Sequence, residues 1–324
     1  MTLDWPFIRR WIRWIAIAII IAFGVGYLVI HVAVSPAMSF DGRLYAAAAR
    51  EWLQGGDPWS VHVQGITLAA PPPSLIMAAP LAVLPEDLVG PASIAIAAAA
   101  AVLAVRLAGV GWWWLLSIPV VEGVFVGSLD LAAVTLAIWA LQADRPRWRL
   151  VGASLSVLAK LYAIVPAVAL GRRGAVLAGF GALVVTAPFL PWQRYLELLP
   201  ELPALLARQT GNGIGSPWSV PWLVPPTILA LVMLGRRDGA WLLIPALWPA
   251  SQAHYGVFMI PVGSPVLALV SLAPVPASAA VAVIALAIVR AAQHRLDPWS
   301  WLPERLRPPS QPRDSAASGL GAGT

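Results

Sequence analysis

The chain has 324 residues, of which 59% are hydrophobic and 11% are charged; none is cysteine, and the formal net charge is +6. A soluble globular domain carries about 25% charged residues, and a disordered chain lacks so much apolar surface, so both classes are excluded. The missing cysteines exclude a disulfide-rich secreted module. The composition predicts an all-α, polytopic helical membrane protein, because about 20 apolar residues span a bilayer and the length accommodates about 10 to 11 membrane segments.

Basic residues cluster between the apolar runs, which indicates where the chain returns to the cytoplasm. The first apolar run, Trp14 to Val34, is too long for a signal-peptide core and is expected to remain as an outward-crossing span. Residues 35–87 and 191–216 then form two loops on the outer face of the cytoplasmic membrane, within one domain over residues 1–290. The clusters are Arg9, Arg10 and Arg13; Arg145, Arg147 and Arg149; Arg172 and Arg173; and Arg236 and Arg237.

The first outer loop contains two helical patterns. Between Arg43 and Gln54, apolar residues recur at helical spacing and polar residues collect on the other side, which predicts an amphipathic helix lying in the membrane interface. Gly55-Gly56-Asp57-Pro58 ends that helix with turn-forming residues. The apolar piece from Pro72 to Leu84 is too short to span and is predicted to be a re-entrant or surface-lying helix.

The middle of the chain is divided into short apolar segments, over residues 111–121, 129–142, 150–161 and 163–170. Irregular backbone at membrane depth is tolerated only where it lines protein or a cavity, so this region is predicted to form a cavity. Further apolar segments follow to residue 289, and the last two could be two spans or a span and a half. The Pro-, Arg- and Ser-rich tail over residues 291–324 is predicted to be disordered.

In this topology one acid and several cations lie at or near the outer face. The acid is Asp41, which comes directly after the first span. Cations gathered in an apolar site suit a phosphate or pyrophosphate, through charge-assisted hydrogen bonds in a low dielectric. A lone carboxylate beside them suits a general base that takes a proton from a hydroxyl nucleophile. The candidate cations are Arg43, Arg50, Lys160, Arg194, Arg208 and His254.

These residues also have ordinary structural interpretations. Asp41 could be the N-cap of the helix that follows it. Lys160, the only lysine, could extend its amine to the interface, and His254 could be a satisfied histidine at a helix end. Glu122 and Asp130 could pair with cations in the cavity or only cap helix ends.

Aromatic and histidine residues narrow the choice of ligands. The 17 tryptophans are expected mostly to anchor the membrane interface, although Trp59, Trp218 and Trp222 on the outer side could also stack on a sugar ring. The four histidines are far apart and metal-binding or nucleotide-binding motifs are missing, so no metal or cofactor is expected. No basic stripe with interleaved aromatics occurs, so nucleic acid is not an expected partner.

Four blocks of residues carry a family resemblance. The first comprises Phe40-Asp41, Tyr45-x-x-Ala48, Leu53-x-Gly55-Gly56-Asp57-Pro58-Trp59, Pro72-Pro73 and Ala79-Pro80-Leu81-x-x-Leu84-Pro85. The others are Gly127-x-x-Asp130, then Leu158-Ala159-Lys160-Leu161-Tyr162 before Pro166, and Pro249-Ala250-Ser251-Gln252-Ala253-His254-Tyr255. In this order, between Trp14 and Pro261, they resemble the GT-C glycosyltransferases, and most closely the bacterial polyprenyl-phosphate-mannose-dependent α-mannosyltransferases.

The resemblance implies a GT-C helical bundle with an outer cavity, in which a sugar passes from a polyprenyl-phosphate donor to a hydroxyl acceptor with inversion. Asp41 matches the family's catalytic acidic residue, and Lys160 and His254 match positions associated with the donor phosphate. The chain departs from the family at Asp130, where Asn is expected, and at Gln252, where Trp is common. The residues expected to bind substrate are Lys160, His254, Arg43, Arg50, Tyr45, Asp130, Arg208 and Tyr255.

The favoured function is therefore an outer-face membrane glycosyltransferase with Asp41 as general base. Its sugar is mannose by the resemblance, and its expected partners are the polyprenyl-phosphate donor, a glycan or glycolipid acceptor, and membrane lipids. Two alternatives remain open: a lipid or small-solute transporter or flippase that uses the same cavity, and a catalytically inactive membrane subunit. The inverted repeat found in many transporters is not evident in the sequence.

Overall fold

The computed structural model describes residues 5–34, 38–202, 204–205, 217–249, 252–272 and 277–307. Within these residues the chain is mostly helical with almost no sheet, which confirms the all-α prediction. The α-helices are α1 (Trp5–Val34), α2 (Phe40–Leu53), α3 (Pro73–Ala82), α4 (Glu86–Ala108), α5 (Ile118–Val126), α6 (Leu129–Gln142), α7 (Pro146–Ala159), α8 (Val165–Ala169), α9 (Arg173–Thr186), α10 (Trp192–Leu198), α11 (Val224–Leu247), α12 (Pro265–Val270) and α13 (Ser278–Ala292).

Two helices are long and apolar enough to cross a membrane, namely Arg10–Ile30 within α1 and Glu86–Ala108, which is α4. Two further pairs of helices pass the same test together but are sharply bent. Helices α5 and α6 meet at 118°, and the segment Arg173–Phe189, which contains α9, meets α10 at 98°. By length and composition, the described residues therefore hold two candidate spans, or up to four if each bent pair is one span. The larger number of membrane segments and the GT-C type of bundle stay predictions.

The amphipathic helix of the first outer loop is α2, which begins at Phe40. Its apolar face, including Leu44, Tyr45 and Ala48, is buried together with Leu75 and Ala78 of α3. The expected placement of this face in the membrane interface is therefore corrected. Because α3 and a hairpin cover it, the apolar face packs on protein.

A short antiparallel hairpin lies between α2 and α3 and was not predicted. It consists of β1 (His62–Val63) and β2 (Ile66–Thr67), joined by Gln64 and Gly65, whose φ angles are +52° and +78°. Two positive φ angles are typical of the tight turn that matches the twist of a hairpin. Strands of two residues are too short to show an alternating apolar pattern, so periodicity does not predict them.

The main core lies between α4, α6, α11 and a 3-10 segment over Ala253–Val262. Small side chains on α4 let α6 approach closely, and the Thr135 hydroxyl of α6 lies 2.8 Å from the carbonyl oxygen of Ala100. This packing fixes the start of α6 against the segment Ala253–Val262. Both of these places carry site residues.

The beginning of the predicted disordered tail is folded. Helix α11 is broken at Gly235, where φ is +83°, and the polar groups freed there bind the tail. The Asp297 amide donates to the Met233 carbonyl at 3.0 Å, and the Arg236 amide donates to the Ser300 hydroxyl at 2.7 Å. The prediction of disorder is therefore wrong for the tail as far as residue 307, and residues 308–324 lie outside the described part.

Candidate active site

A cavity of about 1400 Å³ lies between α1, α2, α5 and the segment Ala253–Val262. Its lining includes Asp41, Lys160 and His254, which are far apart in sequence. Two parts of the lining differ in chemistry, and we name them for later use. The apolar patch is formed by Ala22, Phe23, Ile30, Ile118 and Val126, and the aromatic patch by Lys160, Tyr162, Trp248, Gln252 and Tyr255.

Asp41 lies in the first turn of α2, two residues after Ser39, which holds the N-cap position. The helix start is anchored by the Ser39 amide, which donates to the Phe125 carbonyl at 2.8 Å. Gly42 packs so closely on Ser93 of α4 that a Cβ atom would collide with its side chain. The N-cap interpretation of Asp41 is therefore corrected, and its carboxylate is free to face the cavity at the favourable end of the helix dipole.

The Asp41 carboxylate is 18% exposed, and its Oδ2 lies 4.0 Å from Nε2 of His254. No residue of the described part donates a hydrogen bond to it, although it lines the cavity. Burial raises the pKa of Asp41 above its ordinary value, against the opposing effect of the nearby His254 and Lys160. Asp41 is therefore a carboxylate with unused acceptor capacity in a partly dry site.

Asp130 is the second acid of the site and is fully buried. The turn before it begins with Gly127, whose φ of +69° ends α5, and continues with Ser128, which caps α6. The Ser128 hydroxyl donates to Asp130 Oδ2 at 2.6 Å, and the Tyr162 hydroxyl donates to Oδ1. Because Asp130 is not part of the cavity lining, its predicted role as a substrate contact is corrected. It positions the groups that do reach the cavity.

Lys160 is one of those groups. Helix α7 ends at Ala159, and Lys160 has an extended backbone that turns its side chain inward. Its Nζ lies 3.2 Å from Asp130 Oδ2 and donates to the Tyr45 hydroxyl at 2.8 Å. Lys160 therefore does not extend to the interface. Of the two interpretations left open for Asp130, pairing with a cation is the one observed, and Tyr45 helps to hold the lysine.

His254 lies between three carboxylates. Its Nε2 is 3.4 Å from Asp130 Oδ2 and 4.0 Å from Asp41 Oδ2, whereas its Nδ1 is 3.9 Å from Glu122 Oε1. The ring of Tyr255 packs edge-on against the imidazole, with 5.0 Å between the ring centres. The imidazole therefore connects the cavity acid with the buried acid, which the sequence order did not reveal.

The predicted arginine ligands lie elsewhere. Arg50 donates to the carbonyls of Ala82 and Leu84, both at 3.0 Å, and so closes the end of α3. Arg43 is exposed and is not in the cavity lining. Arg194 pairs with Asp57 at 2.8 Å, where both side chains are partly exposed. These three assignments are corrected, and Arg208 lies outside the described residues.

The charge of the site differs from the expected arrangement of one acid and several cations. Asp41, Glu122 and Asp130 face Lys160 and His254, so acids outnumber bases in the described part of the cluster. In the same part, no group of three or more acidic, histidine or cysteine side chains is arranged to hold a metal ion. The arrangement suits proton acceptance by Asp41 more directly than multiple binding of phosphate by cations.

The tryptophans proposed for sugar stacking do not line the cavity. Trp59 is buried, and its indole donates to the Ala70 carbonyl at 3.1 Å, whereas Trp218 and Trp222 are exposed outside the lining. Trp248 was not predicted as a site residue, but it lines the cavity and packs on Tyr162 with 5.0 Å between ring centres. A signal existed in Trp248-Pro249, because a residue before proline tends to leave the helix.

Comparison of the chain with protein-family models, curated proteins and solved structures found no match.

Proposed function

We propose that the protein is a membrane glycosyltransferase that moves a sugar from a polyprenyl-phosphate donor to a hydroxyl of a glycan or glycolipid acceptor. Mannose is the sugar suggested by the resemblance. The observation that carries the proposal is that Asp41, Lys160 and His254, from three distant segments, line one cavity. A GT-C-like reaction needs a base and an anion-stabilising group side by side.

In the proposed reaction, Asp41 accepts the proton of the acceptor hydroxyl as that oxygen attacks the anomeric carbon. The bond from this carbon to the phosphate oxygen breaks, and its electron pair leaves with the polyprenyl phosphate. Attack from the opposite face inverts the anomeric carbon. The raised pKa of Asp41 makes it a stronger base than an exposed aspartate.

Lys160 and His254 supply positive charge for the departing phosphate. A phosphate leaving group is already stable as an anion, so nearby cations can take the place of a protonating acid. Asp130 holds Lys160 at 3.2 Å and His254 at 3.4 Å, which fixes both groups before substrate binds. Preorganised charge of this kind costs little rearrangement during the reaction.

The size and lining of the cavity suit a lipid-linked substrate. Pockets for drug-sized ligands measure about 300–1000 Å³, and this cavity of about 1400 Å³ is larger. Phe23 and Ile30 of the apolar patch belong to α1, which also exposes apolar side chains such as Val29 and Val32. An isoprenoid chain fits such a surface because both are apolar.

The positions of the arginines support a proposed orientation of the cavity in the membrane. Arg10 and Arg13 lie near the start of α1, whereas Asp41 follows its other end. Arg106 likewise lies in the last turn of α4, at the end remote from the first loop. Because arginines favour the cytoplasmic ends of spans, this distribution supports the proposal that the cavity opens on the extracytoplasmic side.

A second candidate is a proton-coupled lipid transporter. The observation that favours it is the buried chain of Asp130, Lys160 and His254, since ionisable groups at membrane depth often form proton relays. The two functions differ in their product. A transferase forms a glycosidic bond, whereas a transporter moves an unchanged lipid.

The test uses the full chain in lipid nanodiscs with tritiated polyprenyl-phosphate mannose and octyl α-mannoside as acceptor. We expect transfer by the wild-type protein and a loss of about 100-fold to 10,000-fold in Asp41→Asn, because the amide cannot take a proton. The matched control is Asp87→Asn, an exposed acid at the start of α4, which should transfer like wild type.

Undiminished transfer by Asp41→Asn would refute Asp41 as the base. Lack of any transfer by the wild-type protein, with the acceptor replaced in turn by a set of alkyl glycosides, would refute the transferase. Movement of labelled lipid across proteoliposomes without a glycosidic product would support the transporter instead.

A further inference from the structure

Trp248 lines the cavity and is 36% exposed, whereas Tyr162 is buried and Tyr255 is half-buried. Helix α11 ends at Leu247, and the backbone of Trp248 is extended, with φ −66° and ψ +130°. The Trp218 indole donates to the Leu247 carbonyl at 2.8 Å and so satisfies the helix end. Trp248 therefore leaves the helix at a well-defined point and lines the cavity.

The Trp248 ring packs on Tyr162, which belongs to the buried cluster around Asp130. Tyr162 packs against it at 5.0 Å between ring centres and also packs on Tyr255 at 5.2 Å. The Tyr162 hydroxyl is held in turn by Asp130. One tyrosine thus connects Trp248 with the acid that positions Lys160 and His254.

The surroundings of Trp248 combine apolar and polar surface. Gln252 and Tyr255 line the same cavity, and the Tyr255 amide donates to the Gln252 carbonyl at 3.0 Å, which fixes the two residues on one turn. A hexose has an apolar face of C–H groups and a rim of hydroxyls. A flat aromatic ring beside amide and hydroxyl groups matches both features.

We propose that Trp248, together with Gln252 and Tyr255, forms a platform on which a hexose ring of the substrate stacks. This inference rests on the proposed function and adds the place of the sugar to it. The isoprenoid chain then occupies the apolar patch, and the sugar lies on the aromatic patch, in the same cavity as Asp41. The hexose could belong to the donor or to the acceptor, and the experiment distinguishes these sources.

The test measures binding, without turnover, of polyprenyl-phosphate mannose and of polyprenyl phosphate to the full chain in nanodiscs. We expect Trp248→Leu to weaken binding of the sugar-bearing lipid by about twofold to tenfold and to leave polyprenyl phosphate unchanged. Trp248→Phe, which keeps a smaller ring, should have a smaller effect. The matched control is Trp222→Leu, because Trp222 is 73% exposed and outside the cavity lining.

If the hexose belongs to the acceptor, donor binding stays unchanged and KM for octyl α-mannoside rises by the same factor in Trp248→Leu. Gln252→Leu provides a second test that leaves the aromatic rings in place. It should also weaken binding of the sugar-bearing ligand and leave binding of polyprenyl phosphate unchanged. Equal weakening of both lipids would assign Trp248 to the isoprenoid chain, and no change in any arm would also overturn the platform. Sugar-dependent binding without transfer would keep the platform and refute the transferase.

Discussion

The two aspartates that flank His254 differ in their surroundings. Asp130 is fully buried and accepts hydrogen bonds from Ser128 and Tyr162 beside the Lys160 amine. Asp41 is 18% exposed, lines the cavity and accepts no hydrogen bond from the described residues. A carboxylate whose acceptor positions are filled maintains a structure, whereas one with vacant positions is available for a substrate proton. The most buried acid of the cluster, Asp130, is therefore not the one that can accept a proton from a substrate.

Replacing the buried acid should have the largest effect on stability. Asp130→Ala removes the partner of Lys160 and leaves that charge buried, which we expect to reduce the free energy of unfolding by about 3–5 kcal/mol. Thermal unfolding in detergent micelles measures this change. Asp130→Ala combined with Lys160→Met should regain part of the loss, because the second change removes the unpaired charge.

Asp87→Ala is the control for that experiment, because an exposed surface change is expected to stay within about 0.5 kcal/mol. A loss in Asp130→Ala no greater than in the control would show that the buried acid does not hold the cluster together.

The cavity acid should instead set the pH dependence of the reaction. A base must be ionised, so kcat/KM should fall tenfold per pH unit below the pKa of Asp41, which lies above its ordinary value of about 3.9. For stability the sign is opposite. The folded chain binds the Asp41 proton more tightly than the unfolded chain, so the contribution of Asp41 to stability is largest below its ordinary pKa of about 3.9 and is lost as the pH rises through the folded pKa.

Rates and melting temperatures of the wild-type protein and Asp41→Asn between pH 4 and 8 check both statements. The difference between the two proteins isolates Asp41 from His254, Glu122 and the other nearby groups. If kcat/KM falls in acid in the same way in both proteins, Asp41 is not the base. If the melting temperature of Asp41→Asn exceeds that of the wild type by more as the pH falls, the pKa of Asp41 is not raised in the folded chain.

The smallest effect is expected at Arg50, which contacts α3 and is remote from the cavity lining. Arg50→Met removes two hydrogen bonds to the carbonyls of Ala82 and Leu84 and should reduce stability by about 1–2 kcal/mol. Transfer per folded molecule should not change. Arg194→Gln, in an exposed pair with Asp57, is the control and should alter neither quantity measurably. A specific loss of donor binding in Arg50→Met would restore it as a ligand.

The sequence predicted the all-α class, the helix of the first outer loop and the three residues Asp41, Lys160 and His254 that line the cavity. The class and the helix could be predicted because composition and helical periodicity carry that information, whereas the roles of the three side chains stay predictions. The partners of the arginines could not be predicted in this way. Arg50 binds the open carbonyls at the end of α3, and only the packed structure shows that this end lies within its reach.

Trp248 and the folded start of the tail were missed for a related reason. With 17 tryptophans in the chain, composition does not distinguish the one that lines a cavity. The tail binds to the break in α11 at Gly235, and its own sequence carries no apolar period. Both features depend on where other segments end.

The contact between Gly42, Ser93 and Gly127 has a consequence for how the site can change. A Cβ on Gly127 would meet Ser93 and lie 3.5 Å from the Gly42 nitrogen, so the start of α2 and the turn before Asp130 meet through backbone atoms. The separation of the two acids is therefore set by main-chain geometry and is insensitive to most side-chain replacements nearby. Side-chain changes elsewhere in this loop are therefore expected to leave the spacing of Asp41 and Asp130 intact, whereas an added methyl group at Gly42 or Gly127 would force the two segments apart.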